Sequence, residues 1–265
     1  MSRQHELTQE DRSKLGAPAR DEAMRDSRTE ASYWLSRELS LFGDVMEQGG
    51  AAALVWTSAD ALVVSRRDTR LPYFKQSVAK MEREYSTPVF VRESGGTAVR
   101  VGPGVVNVAL VYCHPRGCME AFDVGYGELL RLVTYGLSDL GLCLELGAVD
   151  GAYCDGAHNL VSRGLKIAGT AQRRSARKFG ATLVHGSLLV SVDLPSMIAQ
   201  LNDFYTTAGA PTQYLASACT TVERELNLVA SSDAGTNNLV GAVQSRIQAC
   251  AKRWTMIRKF DQDCA

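Results

Sequence analysis

A cysteine and a lysine on either side of one turn are the first candidates for chemistry in this sequence. Cys154 sits in a loop of small residues, and Lys166 follows a turn at Arg163 and Gly164. A thiol near a fixed ammonium becomes a thiolate more readily, and the thiolate is the attacking species. The alternative is a small buried cysteine beside a solvated lysine. This stretch alone leaves both interpretations open.

The residues after the turn indicate a β-strand. Apolar Leu165 and Ile167 alternate with the residues between and after them. Because side chains of a strand alternate between its faces, Leu165 and Ile167 are expected to face the core. The opposite face is expected to carry Lys166, Ala168 and Thr170.

Composition bounds the class of protein. The chain has 265 residues, 45% of them hydrophobic and 22% charged, with a formal net charge of zero. This composition is typical of a globular protein with a sizeable core, and it gives no global attraction to nucleic acid or to an anionic membrane. We find no apolar run long enough to cross a bilayer and no signal-peptide pattern.

The cysteines are consistent with a reduced, cytoplasmic protein. Seven cysteines are present, an odd number without a regular framework. Cys113 and Cys118 flank His114 in the pattern CHPRGC, but no second pair matches their spacing. A zinc site is therefore disfavoured, and no metal is expected.

Hydrophobic periodicity predicts the main elements. An amphipathic helix is predicted over residues 30–47, a β-hairpin over 52–64, a core helix over 122–142, and helices over 215–226 and 239–260. Strands and helices do not alternate regularly, which favours an α+β fold. We expect a mixed, largely antiparallel sheet flanked by helices, with a helical C-terminal segment.

A glycine-rich loop and a lone histidine are further candidates. Residues 93–97, ESGGT, form a tight loop between two predicted strands. Consecutive glycines let a ligand or a neighbouring backbone come close. His185 interrupts a buried strand, either as a satisfied core residue or as a donor lining a site.

Three separated stretches together resemble the biotin/lipoate A/B protein ligase family. They are RESGGTAV at 92–99, GLKIAGTAQR at 164–173 and HGSLL at 185–189. They are similar to the family's R-x-S-G-G-x-A-V loop, its G-x-K-[IV]-[SA]-G-[ST]-A strand and its H-G-[ST]-L-L strand. The resemblance covers residues 30–227 and implies a ligase-like catalytic domain.

Two further segments point to one branch of that family. DTRLPY at 68–73 resembles the D-x-R-L-P segment of octanoyl transferases, and AYCDG at 152–156 resembles their S-Y-C-x-G loop, whose cysteine carries the acyl group. The continuation departs from that pattern, since Asp155 stands where proline is frequent and residues 157–159 lack the usual tyrosine. Composition predicts a charged, flexible tail at 1–29, and periodicity predicts a C-terminal helix within 228–265. The resemblance implies a catalytic domain at 30–227.

The resemblance implies a site and a reaction. Cys154 would be the acylated nucleophile, and Lys166 would favour the thiolate and exchange protons with the incoming amine. Backbone N–H groups near Gly95 and Gly96, or near Ala168 and Gly169, would hold the oxyanion. Substrate-binding residues are expected to be Arg92, Ser94, Gly95, Gly96, Thr97, Ala168, Gly169, His185 and Gly186.

The implied substrates are an octanoyl or lipoyl group and lipoyl-domain proteins. Those proteins would be the glycine cleavage H protein and the 2-oxoacid dehydrogenase E2 component, as donor or acceptor. No cofactor, nucleic acid or membrane is expected. The alternatives are an ATP-dependent lipoate-protein ligase, in which ATP and Mg would act and Cys154 would be incidental, and a non-catalytic relative that binds lipoyl domains.

Overall fold

The computed structural model describes residues 27–114, 119–177, 180–210, 212–226 and 233–263. Its helices are α1 (Ser27–Gln48), α2 (Phe74–Tyr85), α3 (Phe122–Gly136), α4 (Leu194–Ala208), α5 (Val222–Glu225) and α6 (Asp233–Asp263). Its strands are β1 (Ala51–Trp56), β2 (Ala61–Ser65), β3 (Val89–Arg92), β4 (Val99–Val101), β5 (Val105–Cys113), β6 (Glu145–Gly147), β7 (Asn159–Ser162), β8 (Leu165–Ser175) and β9 (Ala181–Leu189).

Two sheets organise these elements. The larger sheet has six strands in the order β1-β5-β9-β8-β7-β6, and every neighbouring pair is antiparallel. The smaller sheet has the order β3-β2-β4, in which β2 runs parallel to β3 and antiparallel to β4. The expected α+β fold with a mixed, largely antiparallel sheet and a C-terminal helix is confirmed.

The β-hairpin predicted over residues 52–64 is wrong. Both apolar runs form strands, but β1 pairs with β5 and β2 pairs with β3 and β4. Hydrophobic periodicity indicates a strand but does not identify the strand with which it pairs. The two strands therefore belong to different sheets.

Helices cover both faces of the larger sheet. On one face, α3 and α6 contribute Leu129, Leu132 and Ile247 to a core that includes Val108 and Leu188. On the other face, α1 packs Phe42 and Val45 against β5 and β9. This double covering explains why β5, VVNVALVYC, is buried along its whole length.

A second core joins the smaller sheet to α2 and α4. It contains Leu62 and Val64 of β2, Met81 of α2 and Phe204 of α4, and it extends to Cys154. The glycine-rich loop between β3 and β4 therefore comes from the smaller sheet, whereas Lys166 belongs to the larger one. The candidate site lies where the two sheets meet.

A β-bulge changes the facing of side chains on β8. β7 and β8 form a hairpin whose two-residue turn has positive φ at Arg163 and Gly164. The register shifts beside Ile167, so Leu160 pairs with Ala168 while Val161 pairs with Lys166. A bulge inserts one residue and offsets the alternation beyond it.

The expected facing of β8 is therefore partly wrong. Ala168 packs in the core with Leu188, on the face covered by α3. An ideal Cβ on Gly169 would lie 3.4 Å from the Lys166 Nζ, so Gly169 shares the lysine's face. Beyond the bulge, Gly169 and not Ala168 lines the site.

The helix predicted over residues 215–226 is also wrong. The segment forms a 3-10 turn at Ala216–Ala218, an extended stretch and the short α5. The Thr220 N–H donates to the Lys166 carbonyl oxygen at 2.8 Å, and Cys219 forms a parallel bridge with Lys166. Pairing with β8 overrides the helical periodicity and covers Lys166 from outside.

Part of the predicted N-terminal tail and part of the CHPRGC motif lie outside the described residues. Of the tail predicted at 1–29, residues 1–26 lie outside the described residues, and Ser27 begins α1. In CHPRGC, Cys118 lies outside them too, while His114 bonds Thr182 and accepts from the Glu120 N–H.

In the described ranges, no cluster of metal-binding side chains occurs and no helix is long and apolar enough to span a membrane.

Candidate active site

Cys154 occupies a strained turn that is packed into the second core. Its φ is +46°, a left-handed conformation in a residue that is not glycine. Such a conformation costs about 1–2 kcal/mol and persists when the surroundings enforce it. The residue is 6% exposed, and the Thr97 N–H donates to its Sγ at 3.3 Å. The thiol is therefore held under the glycine-rich loop.

The glycine-rich loop touches the thiol at Gly96. This residue has a φ of +97°, and an ideal Cβ on it would lie 2.7 Å from the Cys154 Sγ. Both facts require glycine here. Gly95 differs, because a Cβ on it would meet no atom within 4 Å in the described part of the chain. Gly96 is the residue that lets the loop lie against the sulfur.

Arg92 braces this loop from inside. Its guanidinium donates to the carbonyl oxygens of Gly95 and Thr97, each at 2.8 Å, and to that of Val63 at 3.1 Å. The side chain is buried. A planar guanidinium with several fixed donors is suited to such bridging. These contacts point to a loop-shaping role for Arg92, which was expected to bind substrate.

Two tyrosines that the sequence did not single out also hold the loop. The Tyr205 hydroxyl accepts from the Ala98 N–H at 2.6 Å and donates to Asp68 at 3.0 Å. The Tyr214 hydroxyl donates to the Thr97 Oγ1 at 3.2 Å. Asp68 stood in the D-x-R-L-P segment, so one partner of this network was visible in the sequence.

Lys166 lies beneath the cysteine. Its side chain is fully buried, and its Nζ donates to the backbone carbonyl oxygens of Tyr153 and Cys154, the latter at 3.1 Å. The Nζ also lies 4.0 Å from the centre of the Tyr153 ring. Burial lowers the pKa of Lys166 to about 8, against the opposing charge of the Cys154 thiolate, which raises it.

This placement of Lys166 corrects one expectation. The lysine was expected on the face of β8 opposite the core, but the Tyr153 ring and the extended segment at Cys219 enclose it. The two predicted catalytic residues nevertheless come together, with an ammonium beside the backbone of the nucleophile. A lysine with a pKa near 8 can both give and take a proton near neutral pH.

His185 is part of a buried hydrogen-bonded chain. Its Nε2 lies 2.8 Å from the Ser94 Oγ, and its Nδ1 lies 2.9 Å from the Glu38 Oε2. Ser94 and Glu38 are 6% and 4% exposed. The sequence indicated Ser94 and His185, but Glu38 sits among many acidic residues of α1 and carried no signal.

Comparison with known proteins identifies the family of this chain. The lipoyl protein ligase A/B catalytic domain matches residues 32–243, well over half of the chain. The chain belongs to this family. Its resemblance to the family, first seen in three short motifs, is thereby confirmed.

Relatives in this family are acyltransferases by name. The octanoyl-[GcvH]:protein N-octanoyltransferase of Kyrpidia tusciae is 38% identical over 178 residues, which are 64% of this chain and 61% of the relative. The enzyme of the same name from Geobacillus kaustophilus is 33% identical over 127 residues, 48% of this chain and 44% of the relative. The chain thus spans less than two thirds of the length of each of these two relatives.

A solved structure shows the same lipoyl ligase fold. Lipoate-protein ligase A bound with ATP superposes with a TM-score of 0.55 at 17% identity, covering 83% of this chain and 87% of that one. At this identity the likeness establishes the fold alone.

In this member of the family, a cavity of about 230 Å³ opens beside the thiol. Its wall includes Gly95, Gly96, Cys154, Tyr126 and His158. The rings of Tyr126 and His158 stack at 4.2 Å, and His158 bonds Asp123 at 2.8 Å. A larger groove of about 1020 Å³ between α3 and α6 contains none of the predicted site residues. The smaller cavity is the candidate entrance for substrate.

The remaining predicted residues fall around a second, narrow cavity beside the thiol. Gly169, His185 and Gly186 line it together with Cys154 and Arg92. Gly186 contributes backbone, because a Cβ on it would lie 3.0 Å from Leu129 in the core. The arrangement combines a thiol, a loop N–H group and a proton-exchanging lysine, which together can carry out acyl transfer.

Proposed function

We propose that this protein transfers an octanoyl group, or a lipoyl group, through a Cys154 thioester onto the target lysine of a lipoyl domain. The observation that carries the proposal is the setting of Cys154. Its Sγ accepts from the Thr97 N–H, and its backbone carbonyl oxygen accepts from the Lys166 Nζ. The names of the relatives support the same chemistry. Lipoyl binding alone would need neither a strained thiol nor a buried lysine.

The first step forms the thioester. The Cys154 thiolate attacks the carbonyl carbon of the acyl donor, and a carbon–sulfur bond forms while the bond to the donor's amine or thiol breaks. The Lys166 ammonium supplies a proton to the leaving group. The Thr97 N–H, already directed at the sulfur, is the nearest observed donor for the developing oxyanion.

The second step releases the acyl group to the acceptor. The lysine amine of the lipoyl domain attacks the thioester carbonyl, a carbon–nitrogen bond forms, and Cys154 leaves as a thiolate. The neutral Lys166 amine takes up the proton of the attacking amine. The thiolate charge is among the causes that raise the Lys166 pKa. Acylation removes that charge, which lowers the pKa further and favours a lysine ready to accept a proton.

The proposed reaction needs no ATP or Mg. A thioester donor, or an acyl-lysine donor of the same bond type as the product, already carries an acyl group that the cysteine can accept. A ligase would instead activate a free acid as an adenylate, with Lys166 at the phosphate and Cys154 incidental. The strained, loop-covered geometry of Cys154 favours the transferase.

The proposed partners are lipoyl-domain proteins. The relatives are named for octanoyl-[GcvH] as their donor. We extend this to the present chain, with a glycine cleavage H protein or an E2 lipoyl domain as donor or acceptor. The cytoplasm, where thiols stay reduced, is the proposed place of reaction.

A transfer assay tests this function. Octanoylated H protein is mixed with an unmodified E2 lipoyl domain and the enzyme, with and without ATP. The masses of the H protein and of the E2 domain are then measured by mass spectrometry. We expect octanoyl to move to the E2 domain without ATP, and Cys154→Ser to abolish the movement. Parallel reactions replace the octanoylated H protein with free octanoate, with and without ATP. Modification only with free octanoate and ATP would establish a ligase, and no modification in any reaction would contradict both catalytic functions.

A further inference from the structure

The glycine-rich loop and the lysine of the site belong to different sheets. Lys166 lies on β8 of the larger sheet, and Ser94 lies in the loop that continues from β3 of the smaller sheet. Arg92 and Tyr205 hold the loop to the smaller sheet and its helices. The hydrogen bond from Ser94 to His185 of β9 ties the loop directly to the larger sheet.

Glu38 determines which atom donates in the hydrogen bond between Ser94 and His185. Its Oε2 lies 2.9 Å from the His185 Nδ1, and its Oε1 accepts from the Trp56 Nε1 at 3.0 Å. We infer that both carboxylate oxygens accept, which places a proton on Nδ1. With the ring proton there, Nε2 accepts from the Ser94 hydroxyl.

The geometry points to Glu38 as a positioning residue for the acyl-transfer site, acting through His185 and Ser94 on the loop that covers the Cys154 thiol. Glu38 touches no reacting atom. Its effect passes along the loop to Gly96, on which an ideal Cβ would lie 2.7 Å from the Cys154 Sγ, and to Thr97, whose N–H donates to that sulfur. This inference deepens the proposed function by adding α1 to the site.

The burial of Glu38 indicates that its carboxylate does more than fill space between α1 and β9. A carboxylate that is 4% exposed loses solvation that a methionine of similar size would not need. A residue kept only for packing between α1 and β9 would therefore be apolar.

Matched substitutions separate positioning from packing. Glu38→Met keeps the volume and removes both hydrogen bonds. Glu38→Gln keeps both, because its amide oxygen accepts from Trp56 and its NH₂ group donates to Nδ1, which moves the ring proton to Nε2. The bond to Ser94 then persists with its donor reversed. Asp44→Ala, an exposed site on the same helix, is the control.

The readout is the rate at which iodoacetamide modifies Cys154, followed on its peptide by mass spectrometry. It requires no acyl donor, so its failure is distinct from failure of the proposed transfer. We expect Glu38→Met and Ser94→Ala each to change the rate at least fivefold in the same direction. The double variant should change it no further, since coupled residues are not additive. Glu38→Gln and Asp44→Ala should stay within twofold of wild type.

Two results would overturn the inference. One is a Glu38→Met protein that reacts like wild type, or whose effect adds to that of Ser94→Ala. The other needs no variant to fold: nitrogen NMR of the His185 ring in the wild-type protein must show a proton on Nδ1, and an unprotonated Nδ1 contradicts the inference. Glu38→Gln should show the proton on Nε2.

Discussion

Lys166 donates from its Nζ to the backbone carbonyl oxygen of Cys154 at 3.1 Å. The lysine therefore holds the turn that carries the nucleophile, in addition to placing a positive charge near it. The side chain is fully buried, and its Nζ also donates to the Tyr153 carbonyl oxygen. Structure and proton transfer at this site depend on one ammonium group.

The burial of Lys166 predicts a dependence of stability on pH. Its pKa is about 8 in the folded protein and 10.5 as a free side chain. Between these values the unfolded chain binds a proton that the folded chain has released, so stability rises with pH in that window. A protein with Lys166 should gain about 3 kcal/mol of unfolding free energy over one with Lys166→Met between pH 7 and pH 10.5.

Urea unfolding of the two proteins at several pH values measures this difference. Both proteins carry Cys154→Ser and Cys219→Ser, because the charges of these two thiols interact with that of Lys166. Groups that are not coupled to Lys166 occur in both proteins and cancel in the comparison. A difference in unfolding free energy that stays constant from pH 7 to pH 10.5 would show that the Lys166 pKa is not lowered by burial.

Gly96→Ala should disable the thiol while leaving the protein folded. The new Cβ would lie 2.7 Å from the Cys154 Sγ, and a φ of +97° is unfavourable for alanine. We expect a loss of stability of about 1–2 kcal/mol and a change of at least tenfold in Cys154 alkylation. Gly95→Ala is the matched comparison, because its Cβ meets open space in the described structure. Equal alkylation rates in the two variants would show that the loop does not press on the sulfur.

Tyr205→Phe should cost more stability than Tyr214→Phe. The first removes a hydroxyl bonded to the Ala98 N–H at 2.6 Å and to buried Asp68. Leaving buried polar groups unpaired costs about 1–3 kcal/mol. The second removes one longer bond, to Thr97 at 3.2 Å. Thermal unfolding of both variants measures the order, and the reverse order would contradict the assigned network.

Local patterns predicted much of the site because its motifs lie on short, regular elements. The strand of Lys166, the turn at Arg163 and Gly164, and the loop of Gly96 all follow from alternation and glycine placement. The bulge beside Ile167 did not, because it depends on pairing with β7. That one extra residue placed Ala168 in the core, whereas Gly169, which was also predicted, lines the site.

Long-range contacts account for the other differences. Glu38 lies 147 residues from His185 in the chain, and Tyr205 lies 107 residues from Ala98. Nothing in the neighbourhood of either residue distinguishes it from an ordinary helical position. The extended stretch at Cys219 was likewise hidden, since its partner is Lys166 on another element. The division into domains at residues 29 and 227 stays a prediction.

The central claim is that Cys154 carries the acyl group, and intact-mass analysis after incubation with an octanoyl thioester, without ATP, tests it most directly. The account predicts one added octanoyl group that hydroxylamine removes, that maps to the Cys154 peptide and that is absent from Cys154→Ser. A Cys154→Ser protein that retains full transfer to a lipoyl domain, or a wild-type protein that transfers octanoyl without this adduct ever forming, would contradict it.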